Sequence, residues 1–381
     1  MYMRALIFIV AIHHFRSACP AHSMRMNRPC QRKTAMTDTL PLTMKAAICP
    51  APGAALEIRE VATPTPGAGQ VLVRLETCGV CHSDLHLRDG QENLPDEFYP
   101  LILGHEGIGR VVQVGPGTRN APAIGTRIGL PWIYDTCLTC KPCRTGHEVL
   151  CPDNTARGVQ KHGAFAEYAL CPADFAVEIP DGIDPLHGAP LLCAGLTAWS
   201  ALRKTKVEGG TNVLILGAGG LGQYAILIAK TRGARVIVVD RDPAKLETAK
   251  RLGADVTVPA GAGAGAAIKE AGGADVTLNF APSPVIWDTI EAAANPMSDI
   301  VAIAMVHDPM PLSMMWLIDG GHRVFGSSVG SRQELSDFLA FAAAHPLKVE
   351  VQPIALDDVN AALDALKAGE VAGRLCIDFA R

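Results

Sequence analysis

Cys137, Cys140, Cys143 and Cys151 form a C-x2-C-x2-C-x7-C run, and this run limits the possible folds more than any other stretch of the chain. Four thiolates gathered in so short a segment make a closed tetrahedral site for zinc, with no corner left for a substrate. Such a site is structural, because it pins a lobe that has little core of its own. Four free buried cysteines is the blander reading, and this density makes it a poor one. A zinc ribbon for nucleic acid normally uses two C-x2-C pairs set further apart. The formal net charge of −4, from 34 basic and 38 acidic residues, also argues against a nucleic-acid partner. Twelve cysteines with clustered spacing indicate metal ligation in a reducing compartment, hence a cytoplasmic chain, rather than a disulfide frame.

A second motif follows. Gly217-Ala218-Gly219-Gly220-Leu221-Gly222 stands between an apolar strand, Asn212 to Leu216, and a helical stretch, Gln223 to Lys230. Gly217 permits a tight turn, Gly219 lets the backbone approach a pyrophosphate, and Gly222 lets helix and strand pack closely. Gly220 and Leu221 complete the loop at the helix N-terminus, where free N–H groups favour an anion. Asp240 closes the next strand, Arg235 to Val239. A carboxylate there accepts from ribose hydroxyls and repels a 2′-phosphate, which predicts NAD over NADP. Arg241 beside it softens that discrimination.

The rest of the chain falls into two textures. From Met44 to about Cys193 short strands alternate with Gly/Pro turns, as in Val71–Leu75 and Ile108–Val114, which predicts a partly open β-barrel. After residue 195 strands alternate with helices. Ala244 to Leu252 is helical, and Asp275 to Asn279 and Ile300 to Ala304 are buried strands, as in a doubly wound parallel sheet. Ala260 to Ala267 reads as a Gly/Ala surface connection. The tail holds helices at Glu334 to Ala344 and Asp357 to Lys367 and a strand at Arg374 to Phe379. The expected division is residues 44–194 with 329–381 as one domain and 195–328 as a dinucleotide-binding domain, an α/β chain overall.

Residues 1–43 stand apart. Ala5 to Ile12 behind Arg4 mimics a short signal peptide, and the basic, acid-free stretch 1–37 mimics a transit peptide. The third reading, an extension ahead of a true start at Met36 or Met44, is favoured because the domain pattern begins abruptly at Met44. No stretch approaches ~20 uninterrupted apolar residues, so no membrane span is expected.

A second metal site is less visible. Cys78-Gly79-Val80-Cys81 reads equally as a ligand pair, a lone His105 is usually structural, and a lone Cys193 in an apolar segment is usually core. The residues alone leave this site open. Six text segments taken together resemble the zinc-dependent medium-chain alcohol dehydrogenases: CGVCHSDLH at 78–86, GHEGIGRVVQVG at 104–115, the cysteine run, GAFAEY at 163–168, PLLCAGLTAW at 190–199 and GAGGLG at 217–222. The resemblance covers Met44 to the C-terminus.

The resemblance implies a GroES-like catalytic barrel beside a Rossmann domain, and two zinc ions per chain. It implies that Cys81, His105 and Cys193 bind a catalytic zinc and that Cys78 does not. Glu106 resembles a nearby carboxylate able to exchange onto the metal, and Asp84 the group that orients His105. Ser83 and His86 resemble a proton relay, and His82 a phosphate-contacting position. Thr197 and Leu221 match positions behind the nicotinamide ring, and Arg332 an arginine that reaches the cofactor phosphates. The implied reaction is reversible hydride transfer between a primary or secondary alcohol and NAD, giving aldehyde or ketone. The implied assembly is a homotetramer with small-molecule partners only.

Trp132 matches a pocket-lining tryptophan. Gln91-Glu92-Asn93 stands where small-alcohol members carry a bulky aromatic, so Glu92 either widens a polar pocket or is a solvated charge. Formaldehyde or polyol dehydrogenases share nearly every motif, although Cys193 argues against the polyol type. A non-catalytic zinc-stabilised binding protein is the rival from another class. It would have no use for Ser83 and His86.

Overall fold

The structure, a computed structural model, describes residues 40–92, 94–306 and 308–381. The three N-terminal readings and the expectation for Asn93 therefore lie outside the described residues. Long apolar runs from Asn212 onward build six parallel strands in the spatial order Val256–Pro259, Arg235–Asp240, Asn212–Leu216, Ala274–Asn279, Ala294–Ala302, Arg323–Gly326. Every neighbouring pair is parallel. Strands buried on both faces read as continuous Val/Ile/Leu runs, as in Val236, Ile237, Val238 and Val239.

Apolar cores lie on both faces of this sheet. One gathers Leu214, Leu216, Ile237 and Trp287, and the other Val213, Ile215, Val238 and Phe338. In sequence order the sheet runs 3-2-1-4-5-6. The order reverses beside Asn212–Leu216, and ligands bind at the carboxyl ends of strands at such a reversal.

The turn-rich half closes a seven-stranded sheet. Gln70–Val80 pairs antiparallel with Gly107–Val114, with Tyr168–Pro172 and with the C-terminal strand Arg374–Asp378. The chain end thus returns to the sheet of the first half. Val177, Ile179 and Ile183 share a core with the helix Ala194–Arg203 and with the parallel sheet. The fold is α/β, a GroES-like barrel beside a Rossmann sheet, as the sequence predicts.

One expectation is corrected. Ala260 to Ala267 is not a bare connection, because Ala264–Glu270 is a helix with Ala264, Gly265 and Ile268 buried. Alanine is the strongest helix former. Gly265 permits close packing, since a Cβ there would sit 2.5 Å from the Ala292 methyl.

Candidate active site

Cys81 sits at the N-cap of the helix His82–Arg88. Asp84, in its first turn, is fully buried and organises the surroundings. Its Oδ2 accepts from the Cys81 N–H at 2.9 Å, and its Oδ1 accepts from the Gly104 N–H and from His105 Nδ1, both at 3.1 Å. A carboxylate holding Nδ1–H leaves the Nε2 lone pair facing the other way. Cys193 caps a second helix, Ala194–Arg203.

The ligand atoms of Cys81, His105, Glu106 and Cys193 all lie within 4.8 Å of one another, and all four residues are buried. His105 Nε2 is buried with no hydrogen-bond partner. A buried ring nitrogen left without a partner beside two sulfurs is costly. The donor set of two thiols and one imidazole fits zinc with an open corner. Burial alone would lower the His105 pKa, but the Asp84 carboxylate outweighs it and drives the value well up. Hydrogen bonding from Cys193 pushes the Cys81 thiol well below its ordinary range.

Glu106 also faces Arg374, whose guanidinium donates to both carboxylate oxygens at 2.6 and 2.9 Å. Burial pushes the Glu106 carboxyl up to about 7, while Arg374 pulls the other way. Gly79 is required here, because a Cβ on it would come within 1.8 Å of Glu106 Oε2. That accounts for a glycine in the Cys78–Cys81 segment.

The second cluster holds Cys137, Cys140, Cys143 and Cys151. The sulfurs of Cys137 and Cys143 are 4.0 Å apart, those of Cys140 and Cys143 3.4 Å, and those of Cys151 and Cys137 3.6 Å. These separations exclude disulfides and bracket the edge of about 3.8 Å that a tetrahedron of ~2.3 Å zinc–sulfur bonds requires. Hydrogen bonds from Thr139 and from the Cys140 N–H lower the Cys137 thiol to about 6. All ten described cysteines are free.

Ser83 and His86 follow Cys81 on one short helix. His82 and His86 rings stand edge to face with centroids 6.5 Å apart. Trp132 packs edge-on against His105 at 4.9 Å, which places the predicted pocket tryptophan beside the ligand cluster.

In the glycine loop, Gly217 adopts φ +97° and a Cβ on Gly222 would fall 2.0 Å from the Gly217 carbonyl oxygen. Neither position tolerates a side chain. Nothing lies within 4 Å of a Cβ built on Gly219, which leaves an open cradle ahead of the helix Gly220–Thr231. The first N–H groups of that helix have no intrahelical partner. Asp240 braces the loop, accepting from the Ala218 N–H at 2.7 Å and the Asp242 N–H at 3.0 Å. Thr197 is buried and donates to the Cys193 carbonyl at 2.7 Å, and Leu221 packs on the core.

Arg332, expected at the cofactor phosphates, is bonded to the cysteine lobe in this structure. Its Nε donates to Glu148 Oε1 at 3.0 Å, it bonds the Asp174 carbonyl, and its guanidinium lies over the Phe175 ring at 4.3 Å. It therefore braces the cysteine lobe. The arginine at the glycine loop is Arg374, which lies 2.9 Å from a Cβ built on Gly220. The sequence carried a faint sign of this in a lone cation opening the final apolar strand. A cavity of about 780 Å³, lined by Tyr134, His162 and Phe175 among others, contains none of the predicted site residues.

Comparison with known proteins identifies the family. The family descriptions "Alcohol dehydrogenase GroES-like domain" and "Zinc-binding dehydrogenase" match residues 67–181 and 220–344. An alcohol dehydrogenase of Geobacillus stearothermophilus is 38% identical over 338 residues, which is 88% of this chain and 99% of that one. The chain belongs to the zinc-dependent medium-chain alcohol dehydrogenases.

Solved structures of this family superpose closely. A cinnamyl alcohol dehydrogenase of Sorghum bicolor aligns at 30% identity and TM-score 0.80, covering 89% of this chain and 98% of that one. The alcohol dehydrogenase of Aeropyrum pernix gives 30% and 0.80, covering 88% and 99%. An acetophenone reductase of Geotrichum candidum, solved with NAD, gives 26% and 0.77, covering 89% and 98%. As a medium-chain alcohol dehydrogenase, the chain is an alcohol oxidoreductase of the zinc-binding type.

Proposed function

We propose that the chain interconverts a primary or secondary alcohol with its aldehyde or ketone, using NAD and a zinc held by Cys81, His105 and Cys193. The observation that carries this is the buried, unpartnered His105 Nε2 converging with two thiols. When bound, the zinc supplies Lewis acidity to the alcohol oxygen and the dinucleotide supplies the hydride acceptor.

The protein's own groups do the rest. Asp84 fixes the His105 tautomer. Ser83 takes the alcohol proton and His86 hands it outward. The open cradle at Gly219, with Gly217, Gly220 and Gly222, receives the pyrophosphate, and Arg374 faces it with a second positive charge. His82 completes that phosphate contact, Asp240 holds the ribose hydroxyls, and Thr197 and Leu221 back the nicotinamide. Glu106, paired with Arg374, supplies the carboxylate behind the ligands. Trp132 walls the pocket.

In this reading Cys137, Cys140, Cys143 and Cys151 hold a second, structural zinc. Residues 44–194 with 329–381 form the catalytic domain, and 195–328 the dinucleotide-binding domain. Exposed Met314, Met315 and Ile318 on the helix Met314–Gly320, beside the edge strand Arg323–Gly326, support burial against further copies in a homotetramer. The free cysteines support a cytoplasmic location. Among the described residues no helix is long and apolar enough to cross a membrane.

The test is a panel of short, medium-chain and aromatic alcohols with NAD, followed by the absorbance of the reduced cofactor, with metal analysis of the same sample. Turnover with two zincs per chain is expected. Inertness toward every alcohol in zinc-replete protein would refute the proposal.

A further inference from the structure

The helix His82–Arg88 ends in a reversal. The Gln91 N–H reaches back to the His86 carbonyl at 2.9 Å and the Gly90 N–H to Leu87 at 3.2 Å. Gly90 takes φ +73°, a left-handed cap that glycine adopts without strain. The Gly53 N–H holds the Arg88 carbonyl at 2.7 Å from the other side. The chain is thereby folded back over the helix's last turn. Glu92 brings its Oε1 to 3.7 Å from His86 Nδ1, and about 30% of each side chain is exposed.

The distance is that of an ion pair, just beyond a direct hydrogen bond. A carboxylate on one ring nitrogen selects the tautomer protonated there and turns the other nitrogen away from it. His82, one turn earlier, is the other titratable ring beside His86.

We propose that Glu92 is a positioning residue for proton transfer. It holds His86 with its proton on Nδ1, leaving Nε2 free to accept the proton that departs the alcohol. The imidazolium formed by that one-proton step rests against the carboxylate until water removes the proton. The inference rests on His86 being the outer end of the relay. It replaces both sequence readings of Glu92, since neither a bare surface charge nor a mere pocket wall would act through His86.

The test is a double-mutant cycle in kcat/KM for alcohol oxidation near neutral pH, on zinc-replete enzyme. Glu92→Gln should cost roughly two- to fivefold, the value of a partly exposed ion pair, with the Kd for NADH unchanged. Glu92→Asp should retain more of the rate than Glu92→Gln. High salt should bring the parent toward Glu92→Gln, because it screens the pair. In a His86→Ala background Glu92→Gln should cost nothing further. A parental rate in Glu92→Gln overturns the inference, and so does the same factor lost in both backgrounds. A parental rate in His86→Ala would remove the relay reading itself, and this inference with it.

Discussion

Replacing Arg374 with methionine keeps most of the side-chain volume and removes the charge. The partner it leaves behind is Glu106, fully buried, with no other side-chain hydrogen bond among the described residues. Breaking a buried pair from one side typically costs about 3–5 kcal/mol. For a chain this long each kcal/mol moves Tm by roughly 1.2 °C, so a drop of about 4–6 °C is expected.

The pair also sets the sign of a pH dependence. Burial holds the Glu106 carboxyl at about 7, above its ordinary range. A group raised in this way favours the folded state at low pH, and that contribution is lost as pH rises through the folded value. Without Arg374 the carboxyl climbs further, so the penalty should be small near pH 5 and full near pH 9. Calorimetry of cofactor-free protein stripped of the metal at Cys81, His105 and Cys193 checks this at both values. The double variant Glu106→Gln/Arg374→Met should recover more than half of the loss, because no unpaired charge remains. A Tm within about 1 °C of the parent at pH 9, or a larger penalty on the acid side, would refute the reasoning.

Cys193→Ala should abolish turnover while retaining the fold and one zinc per chain, read by metal analysis and circular dichroism. Asp240→Ser should lower the kcat/KM ratio of NADH to NADPH by about tenfold or more, the scale of losing a carboxylate that repels a phosphate. It should also loosen the loop that Asp240 braces through the Ala218 N–H, seen as faster amide exchange there. Gly79→Ala, whose added methyl would overlap Glu106 Oε2, should lower Tm by about as much as Arg374→Met, whereas Gly182→Ala, with nothing within 4 Å, should not.

Local motifs were readable because their physics is local. The glycine loop needs φ +97° at Gly217 and no side chain at Gly222, demands that only glycine meets, and its flanking strand and helix lie in adjacent sequence. The cysteine run is similar, since four sulfurs within one lobe can close on one ion with little help from the rest of the chain. The scattered cluster is different. Cys81 and Cys193 cap two helices far apart in sequence, and no residue spacing encodes that meeting. Resemblance to a family supplied what spacing lacked.

Arg332 and Arg374 mark the limit of sequence reading. Both are single cations beside apolar elements, and nothing local separates them. What separates them is that the strand Arg374–Asp378 pairs with Gln70–Val80, the strand that leads directly into Cys81. Leu375 lies opposite Val80, so Arg374 arrives where that strand gives way to the ligand-bearing helix. The parallel sheet presents its glycine loop to the same point, as the contact with Gly220 requires. Arg332 instead opens a helix whose first turn is fixed by the Ser331–Glu334 capping box, which directs its side chain toward Glu148 in the cysteine lobe. The difference in placement therefore comes from strand pairing across nearly the whole chain, a long-range term that no window of sequence contains.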